Sequence, residues 1–380
     1  MGRWWEHGRL TRRDFLKGLG LAVGLVLVEP RLLRAEAARE TVEGLVFHDA
    51  DGDGLYGSSD EGIAGVLVSD GTNIVQTDGS GRFALELGND RGIVFITTPS
   101  GWQMPRFYRH ITPETSSLEF PLQPGPAPTE FTFIQVTDIH IMPQAVPAVE
   151  QFVEMADKLR PDFVISTGDL VMDVCYFTKQ ADTREEVDGA FDIYRGALAG
   201  LEAPLLEVIG NHDCACALSR SLPEYYKGEY QELYGPLWYS FDYGEWHFIV
   251  LDANAPQPPP NDWLTEEELA WLGRELAFQP QDRPILLFSH QPLFFCHNYE
   301  KLLKIVEGYN VEVALSGHEH ATYTRVAGLT NIVTGALSGR WWGHDGIHWN
   351  GGNLDGSPQG FRVCRIEGEQ FSSKYVSMRS

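Results

Sequence analysis

From Thr129 onward the chain alternates apolar runs of strand length with amphipathic stretches, and this alternation restricts the fold more than any other feature of the sequence. The strand-like runs are rich in Val, Ile, Leu and Phe and lie at 131–137, 163–167, 205–209, 238–251, 285–289 and 311–315. Helical spacing of apolar residues lies between them, at 146–159, 183–201 and 265–277. Strands that alternate with helices indicate a layered α/β domain, whose ligands gather beyond the strand ends.

The third helix has a start signal of its own. Thr265 precedes it and Glu268 follows three residues later, which is the spacing of a capping box. We therefore expect this helix to begin directly after Thr265.

Five polar clusters each follow one of the apolar runs. They are Asp138-Ile139-His140, Gly168-Asp169, Gly210-Asn211-His212-Asp213, His290 and Gly317-His318-Glu319-His320. Carboxylates, an amide and imidazoles form a mixed oxygen and nitrogen set that suits Fe, Mn or Zn. Two ions about 3.5–4 Å apart can clamp a phosphoryl group and generate hydroxide near neutral pH. We expect Gly168, Gly210 and Gly317 to adopt dihedral angles that turn the chain sharply off each strand.

Taken as a set, these clusters resemble those of the calcineurin-like metallophosphoesterases over residues 129–325. The resemblance implies a four-layer αββα domain, assigned here to residues 125–328. It also implies a dinuclear-metal hydrolase that cleaves a small phosphomonoester or phosphodiester with a metal-bridging hydroxide. One ion, divalent or part of a mixed-valence pair, would be held by Asp138, His140, Asp169 and His320. The other would be held by Asp169, Asn211, His290 and His318, with Asp169 bridging.

In the same scheme His212 is catalytic without binding a metal. The resemblance implies that His212 contacts the phosphate beside Asn211 and protonates the leaving oxygen. Many relatives orient this imidazole with an Asp three residues after the bridging Asp, where this chain has Met172. Asp173 or Asp213 could substitute. Met172 also stands where purple acid phosphatases have a tyrosine ligand, which disfavours that branch.

A glycine- and tryptophan-rich insert near the carboxyl end supplies two more candidates. Arg340 and Trp341 are candidate substrate-binding residues, because a guanidinium can bind phosphate. Packing alone is the alternative role for both. The surrounding short strand signals predict a small C-terminal β subdomain at residues 329–380.

The stretch at 38–124 has the pattern of an all-β sandwich, with short alternating runs between Asp, Gly, Asn and Ser turns. Four prolines within 121–128 predict a stiff linker to the α/β domain. One acidic turn has the spacing of a calcium loop, and its candidate ligands are Asp49, Asp51, Asp53 and Asp60. A structural calcium ion and a plain acidic turn are both compatible with this pattern.

Residues 1–37 resemble a twin-arginine export signal. Arg12 and Arg13 precede the apolar run 18–28, and Ala35-Glu36-Ala37 resembles a small-residue cleavage site. We therefore expect a periplasmic or secreted protein that engages the twin-arginine export machinery. A signal-anchored form is the alternative, although residues 19–28 are short for a bilayer span.

The net charge of -24 argues against binding to nucleic-acid phosphates, so we expect no nucleic-acid partner. A compact anionic substrate would need a local cation. The chain has 5 cysteines, an odd number, and export would permit a disulfide among Cys175, Cys214, Cys216 and Cys296.

Two other functions are compatible with parts of the sequence. The chain could be a cell-surface binding protein in which a calcium-stabilised β domain binds the partner and the phosphoesterase domain is vestigial. The complete set of ligand positions argues against this alternative. A metalloenzyme that hydrolyses a non-phosphate ester would have the same spacing.

Overall fold

A computed structural model describes most of the chain beyond residue 39. The described residues are 40–89, 92–112, 115, 117–172, 184–215, 218, 225–254, 262–338, 353–378 and, for the backbone alone, 340–343 and 346–349. Residues 40–380 group into one compact unit. The predicted export signal lies outside the described residues. Among the helices that are described, none combines the length and apolar character needed to cross a membrane.

The N-terminal region consists of short strands in two sheets. The strands are β1 Thr41–His48, β2 Glu61–Gly62, β3 Leu67–Ser69, β4 Ile74–Gln76, β5 Arg82–Glu86, β6 Ile93–Ile96, β7 Trp102–Gln103, β8 Tyr108–His110 and β9 Ser117–Pro124. One sheet has the order β2-β1-β9-β7 with β5 also paired to β1, and the other has the order β4-β3-β6-β8. Val46, Phe120 and Val94 from the two sheets share one buried core. The predicted β-rich N-terminal region is thus confirmed.

The rest of the chain alternates strands and helices. Its elements are β10 Glu130–Val136, α1 Val146–Leu159, β11 Phe163–Thr167, α2 Arg184–Leu198, β12 Leu205–Val208, α3 Gly228–Tyr234, β13 Tyr239–Tyr243, β14 Trp246–Val250, α4 Glu266–Leu276, β15 Ile285–Phe288, a 3-10 turn Leu293–Phe295, α5 Tyr299–Val306, β16 Val311–Ser316, β17 Tyr323–Ala327, β18 Leu329–Val333, β19 Arg340–Gly343, β20 Gly346–Trp349, β21 Gly360–Glu367 and β22 Gln370–Ser377.

These strands form two mixed sheets. The first sheet has the order β12-β11-β10-β21-β22, with β10, β11 and β12 parallel and β21 antiparallel to β10. The second sheet has the order β13-β14-β15-β16-β18-β17, with a parallel centre and antiparallel edges. Because the central strands of each sheet are parallel, their carboxyl ends lie along one edge of that sheet.

Aromatic side chains join the two sheets face to face. The ring of Phe133 in the first sheet lies 5.9 Å from that of Phe248 and 6.1 Å from that of Phe288 in the second. On the outside of the first sheet, Phe152 of α1 packs 5.2 Å from Phe361. On the second sheet, Glu275 of α4 accepts a 2.8 Å hydrogen bond from the Ser240 hydroxyl. The predicted αββα arrangement is confirmed.

The capping box predicted at α4 is present. The Thr265 hydroxyl accepts a hydrogen bond from the Glu268 backbone N–H, and the Glu268 carboxylate accepts one from the Thr265 N–H. This reciprocal pair fixes the first turn of a helix that places Trp271 and Leu272 in the core.

The C-terminal stretch corrects one prediction. The sequence predicts a small C-terminal β subdomain at residues 329–380, but β18 lies in the second sheet and β21 and β22 complete the first. The hairpin of β19 and β20 makes a two-stranded sheet of its own. Short apolar alternation predicts strands well, but it does not indicate which sheet they join.

Candidate metal centre

The predicted ligands come together beyond the strand ends of both sheets. The first sheet contributes the residues after β10, β11 and β12, and the second contributes those after β15 and β16. Two groups of side chains have ligand atoms that all lie within 4.8 Å of one another: Asp138, His140, Asp169 and His320, and Asp169, His290 and His318. The two predicted ion sites are thus adjacent and share Asp169.

Short distances connect the first group. His320 Nε2 lies 3.1 Å from Asp138 Oδ1 and 3.1 Å from His140 Nε2. His140 Nε2 is also 3.4 Å from Asp169 Oδ2. The ligand atoms of this group are thus close enough together to bind a common cation.

The second group shares the same carboxylate oxygen. His290 Nε2 lies 3.1 Å from Asp169 Oδ2 and 3.1 Å from Asn211 Oδ1. His318 Nδ1 is 3.2 Å from His290 Nε2. Asp169 Oδ2 therefore faces both groups, which is the position that a bridging ligand requires.

The ligand loops have an unusual backbone. Positive φ angles occur at seven non-glycine residues in the described part of the chain, and five of these seven are predicted ligands. The five are Asp138 (φ 50°), His140 (44°), Asp169 (52°), His318 (69°) and His320 (46°). Strained backbone of this kind concentrates at functional sites. Asp and His tolerate the left-handed region better than most residues. The sequence pattern alone did not predict these positive φ angles.

Two of the three glycines in the clusters differ from the prediction. Gly168 has the expected positive φ, at 89°. Gly210 and Gly317 have no such angle, and they are required instead by close approach. A Cβ at Gly210 would lie 2.1 Å from the Asp169 backbone nitrogen, and one at Gly317 would lie 1.9 Å from Thr137 Oγ1. Because they lack a Cβ, these two glycines allow neighbouring strand ends to approach closely.

The two shared carboxylates are buried and charged. Asp138 is 0% and Asp169 1% exposed. Burial alone would raise both pKa values, but His320 beside Asp138 and His290 beside Asp169 hold them below the usual range of Asp. Buried carboxylates of this kind require a cation nearby.

The imidazoles divide into two electrostatic groups. Burial lowers the pKa of His140 and of His318 to about 4, so both rings are neutral, the form that binds metal. For His290 burial also opposes the charge, but the Asp169 carboxylate outweighs it and raises the pKa of His290 to about 10. In the metal-free centre His290 is thus protonated, and its positive charge offsets the charge of the buried carboxylates.

The donor set fits a metal ion at the second position. His290 Nδ1 lies 2.8 Å from the Thr167 carbonyl oxygen and donates to it. When the ring gives up its other proton, the Nε2 lone pair is directed at Asp169 and Asn211. Three lone pairs then converge on one point. A proton or a metal cation there removes their mutual repulsion.

His212 is oriented by a backbone group. Its Nδ1 lies 2.7 Å from the Met172 carbonyl oxygen and donates to it, and its backbone N–H donates to Asp169 Oδ1 at 2.9 Å. The Nε2 atom therefore faces the centre, 4.0 Å from Asp169 Oδ2. The side chain is 23% exposed, so a substrate can reach it.

Asp213 is not the partner of His212. Its carboxylate accepts hydrogen bonds from the backbone N–H groups of Leu170, Val171 and Gly210, so it joins the loops after β11 and β12. The other candidate, Asp173, lies outside the described residues. The carbonyl of Met172 could not have been predicted from residue types, because any residue offers one there.

The C-terminal stretch forms hydrogen bonds to the ligand loops. The sequence did not predict these contacts. The Ser338 hydroxyl donates to the Ile139 carbonyl at 2.5 Å, and the Leu354 N–H donates to the His320 carbonyl at 2.7 Å. The side chains of Arg340 and Trp341, the candidate substrate-binding residues on β19, lie outside the described part.

The acidic turn of the N-terminal region brings Asp49, Asp51 and Asp53 close together. Asp60 is not in this group. Its carboxylate accepts hydrogen bonds from the N–H groups of Ala50 at 3.0 Å and Gly57 at 2.7 Å, and so closes the loop. Asp49 similarly accepts from two backbone N–H groups of the turn.

The structure tests part of the predicted disulfide. Cys296 and Cys364 are buried free thiols, so Cys296 does not take part in the disulfide that the sequence permitted. Cys175 and Cys216 lie outside the described residues.

Two mixed sheets between helices, with carboxylates and imidazoles converging beyond the strand ends, define a metallophosphoesterase. Residues 131–322 match the family described as Calcineurin-like phosphoesterase, and residues 51–124 match the family described as N terminal of Calcineurin-like phosphoesterase. The chain therefore belongs to the calcineurin-like phosphoesterase family, which depends on a dinuclear metal centre.

Curated relatives include phosphodiesterases. A 3',5'-cyclic adenosine monophosphate phosphodiesterase of Escherichia coli is 26% identical over 171 residues, 42% of this chain and 55% of the relative. A probable cyclic nucleotide phosphodiesterase of Rhodopseudomonas palustris is 31% identical over 173 residues, 43% of this chain and 57% of the relative. A glycerophosphodiester phosphodiesterase of Enterobacter lignolyticus is 27% identical over 175 residues, 42% of this chain and 56% of the relative. The chain thus matches little more than half the length of each.

Among solved structures, a dimetal phosphatase from Danio rerio aligns with a TM-score of 0.48 and 17% sequence identity. The alignment covers 65% of this chain and 96% of the other.

Proposed function

We propose that this protein is a metal-dependent phosphoric ester hydrolase with two metal ions. The observation that carries the proposal is the convergence of the predicted ligands, from five strand ends in two sheets, around the shared oxygen of Asp169. Calcium at the N-terminal acidic turn is a separate proposal, supported only by the proximity of Asp49, Asp51 and Asp53.

Each proposed ion has four protein ligands. The first would be held by Asp138, His140, Asp169 and His320, and the second by Asp169, Asn211, His290 and His318. Bound there, two ions of Fe, Mn or Zn would activate water for attack and neutralise charge on the phosphoryl group.

His212 would supply the proton to the leaving oxygen. The Met172 carbonyl accepts the Nδ1 hydrogen, so a second proton on the ring must sit on Nε2, which faces the centre. Donation from Nε2 assists departure of the alcohol, and the carbonyl holds the ring in place as its charge changes.

We propose a small phosphoester as the substrate, with a diester preferred to a monoester. The names of the relatives support this preference, since they include cyclic nucleotide and glycerophosphodiester phosphodiesterases. The net charge of -24 supports a small substrate rather than a nucleic acid.

The test combines elemental analysis with a screen of generic monoesters and diesters. We expect two ions per purified chain, and we expect Asp169→Asn to lose metal together with activity, on the order of 10³-fold, because the ions supply several kcal/mol of transition-state stabilisation. The matched control is Asp162→Asn, which changes the carboxylate just before β11 rather than the one after it. Full activity after chelation would refute the proposal.

We also propose export to the periplasm or beyond the cell by the twin-arginine route. Arg12 and Arg13 before the apolar run 18–28 support this proposal. Proteins on that route fold, and often load metal, before export.

A further inference from the structure

We propose that Asn254 is a positioning residue for the second metal site. Its side chain forms a buried amide link between the loop that carries Asn211 and the loop that carries His290. This inference rests on the metal centre of the proposed function, and concerns a residue outside the ligand set.

The link joins the two sheets. Asn254 lies beyond β14 in the second sheet and is 0% exposed. Its Nδ2 donates to the Ile209 carbonyl at 3.2 Å, beyond β12 in the first sheet. Its Oδ1 accepts from Gln291 Nε2 at 2.6 Å, beyond β15 in the second sheet.

The amide has only one orientation that satisfies its neighbours. The second Nδ2 hydrogen is donated to Asp252 Oδ1 at 3.1 Å, and the other Asp252 oxygen accepts from the buried ammonium group of Lys227. Turning the amide over would place its oxygen against a carbonyl and a carboxylate. Asn254 is thereby fixed, and a fixed side chain can set a distance between the groups it binds.

The two tied loops carry ligands of the second ion only. Ile209 precedes Asn211 by two residues and Gln291 directly follows His290, and the Asn211 and His290 ligand atoms are 3.1 Å apart. The unshared ligands of the first ion follow β10 and β16. The side-chain hydrogen bonds of Asn254 given above go instead to Ile209, Asp252 and Gln291. Loss of the link should therefore loosen one site and spare the other.

The test is calorimetric titration of metal-free protein with Mn²⁺, with bound metal counted by elemental analysis. For Asn254→Ala and Gln291→Ala we expect the second binding step to weaken by about 10- to 100-fold, the range for groups that hold metal ligands. The first step should be unchanged. Asn254→Asp should show a similar loss despite its equal size, because it places a carboxylate against Asp252 and the Ile209 carbonyl.

A matched control separates the link from general destabilisation. Asn331 is another buried asparagine, 1% exposed, whose Nδ2 donates to the Leu329 carbonyl away from the centre. Asn331→Ala should lower the melting temperature and leave both Mn²⁺ affinities as in the wild type.

The double variant Asn254→Ala/Gln291→Ala should bind the second ion no more weakly than the single variant with the lower affinity. Each single substitution already breaks the same hydrogen-bonded link. Equal weakening of the two steps, additive losses, or an unchanged second step would overturn the inference. If wild-type protein bound no second ion, the inference would fail together with the dinuclear centre. If it bound two ions but hydrolysed no ester, only the proposed activity would fail.

Discussion

Only the Nε2 atom of His212 faces the candidate centre, because Nδ1 donates to the uncharged Met172 carbonyl. A backbone carbonyl holds the ring orientation whatever residue occupies position 172. The orientation of the proposed general acid is therefore encoded by the loop path after Asp169, and not by a second acidic residue.

For His212→Gln we expect kcat to fall by about 10²- to 10⁴-fold, the usual contribution of general acid catalysis, while both metal ions stay bound. Steady-state kinetics and elemental analysis on the same preparation provide the measurement. His48→Gln, in the N-terminal β1 strand, is the control and should retain full activity. Loss of metal in His212→Gln would instead place this residue among the ligands.

Glu207, on β12, predicts a pH dependence of stability. The side chain is half-buried, and the loss of water around its carboxylate raises its pKa to about 8. Between the ordinary pKa of Glu and about 8, the folded protein keeps a proton that the unfolded chain releases. The contribution of this group to the free energy of unfolding is therefore full below the ordinary pKa and is lost as the pH rises through the folded value.

Glu207→Gln should consequently stabilise the protein at about pH 9, by on the order of 1–3 kcal/mol, and have little effect at about pH 5. Urea unfolding at the two pH values measures this difference. Glu202 is an exposed carboxylate on the preceding loop. Glu202→Gln should therefore leave the free energy of unfolding unchanged at both pH values. A constant effect of Glu207→Gln across the pH range would show that desolvation of its charge is not the cause.

At the scale of elements, the sequence predicted strands and helices wherever an apolar period was long or well bounded. The bounds of α1 and β11 agree with the prediction, and the Thr265 capping box fixes the start of α4. The proposed ligands could be named from the sequence because each follows a strand, and the structure brings these side chains close together. The partner of His212, the role of Gly210 and the sheet joined by β21 depend on contacts distant in sequence, which a local pattern cannot contain.

The capping box itself can be tested. Thr265→Ala removes the hydroxyl that accepts from the Glu268 N–H at 3.1 Å and should lower the free energy of unfolding by about 1 kcal/mol. Thr265→Ser keeps the hydroxyl and should lose much less. Chemical denaturation of both variants measures the free energy of unfolding. Equal decreases in the two variants would contradict a contribution from this hydrogen bond.

At the scale of the whole molecule, the export proposal has a direct test in the proposed leader, residues 1–37. Replacing Arg12 and Arg13 together by lysine should retain the protein in the cytoplasm, with about a tenth or less exported, because the twin-arginine pair is the recognised feature. Cell fractionation and immunoblotting measure the distribution. Arg9→Lys, also in the leader, should be exported normally. Normal export of the double variant would exclude this route.

The pairing of β10 with β21 has a consequence for biosynthesis. Register contacts run from Glu130↔Glu367 to Gln135↔Arg362, so an early strand of the catalytic region is completed by one of the last. A nascent chain cannot close the first sheet until residues 360–367 have left the ribosome. Because the same sheet carries Asp138 and Asp169, a chain that terminates upstream of β21 would leave β10 without its antiparallel neighbour, beside the strand ends that hold the proposed ligands.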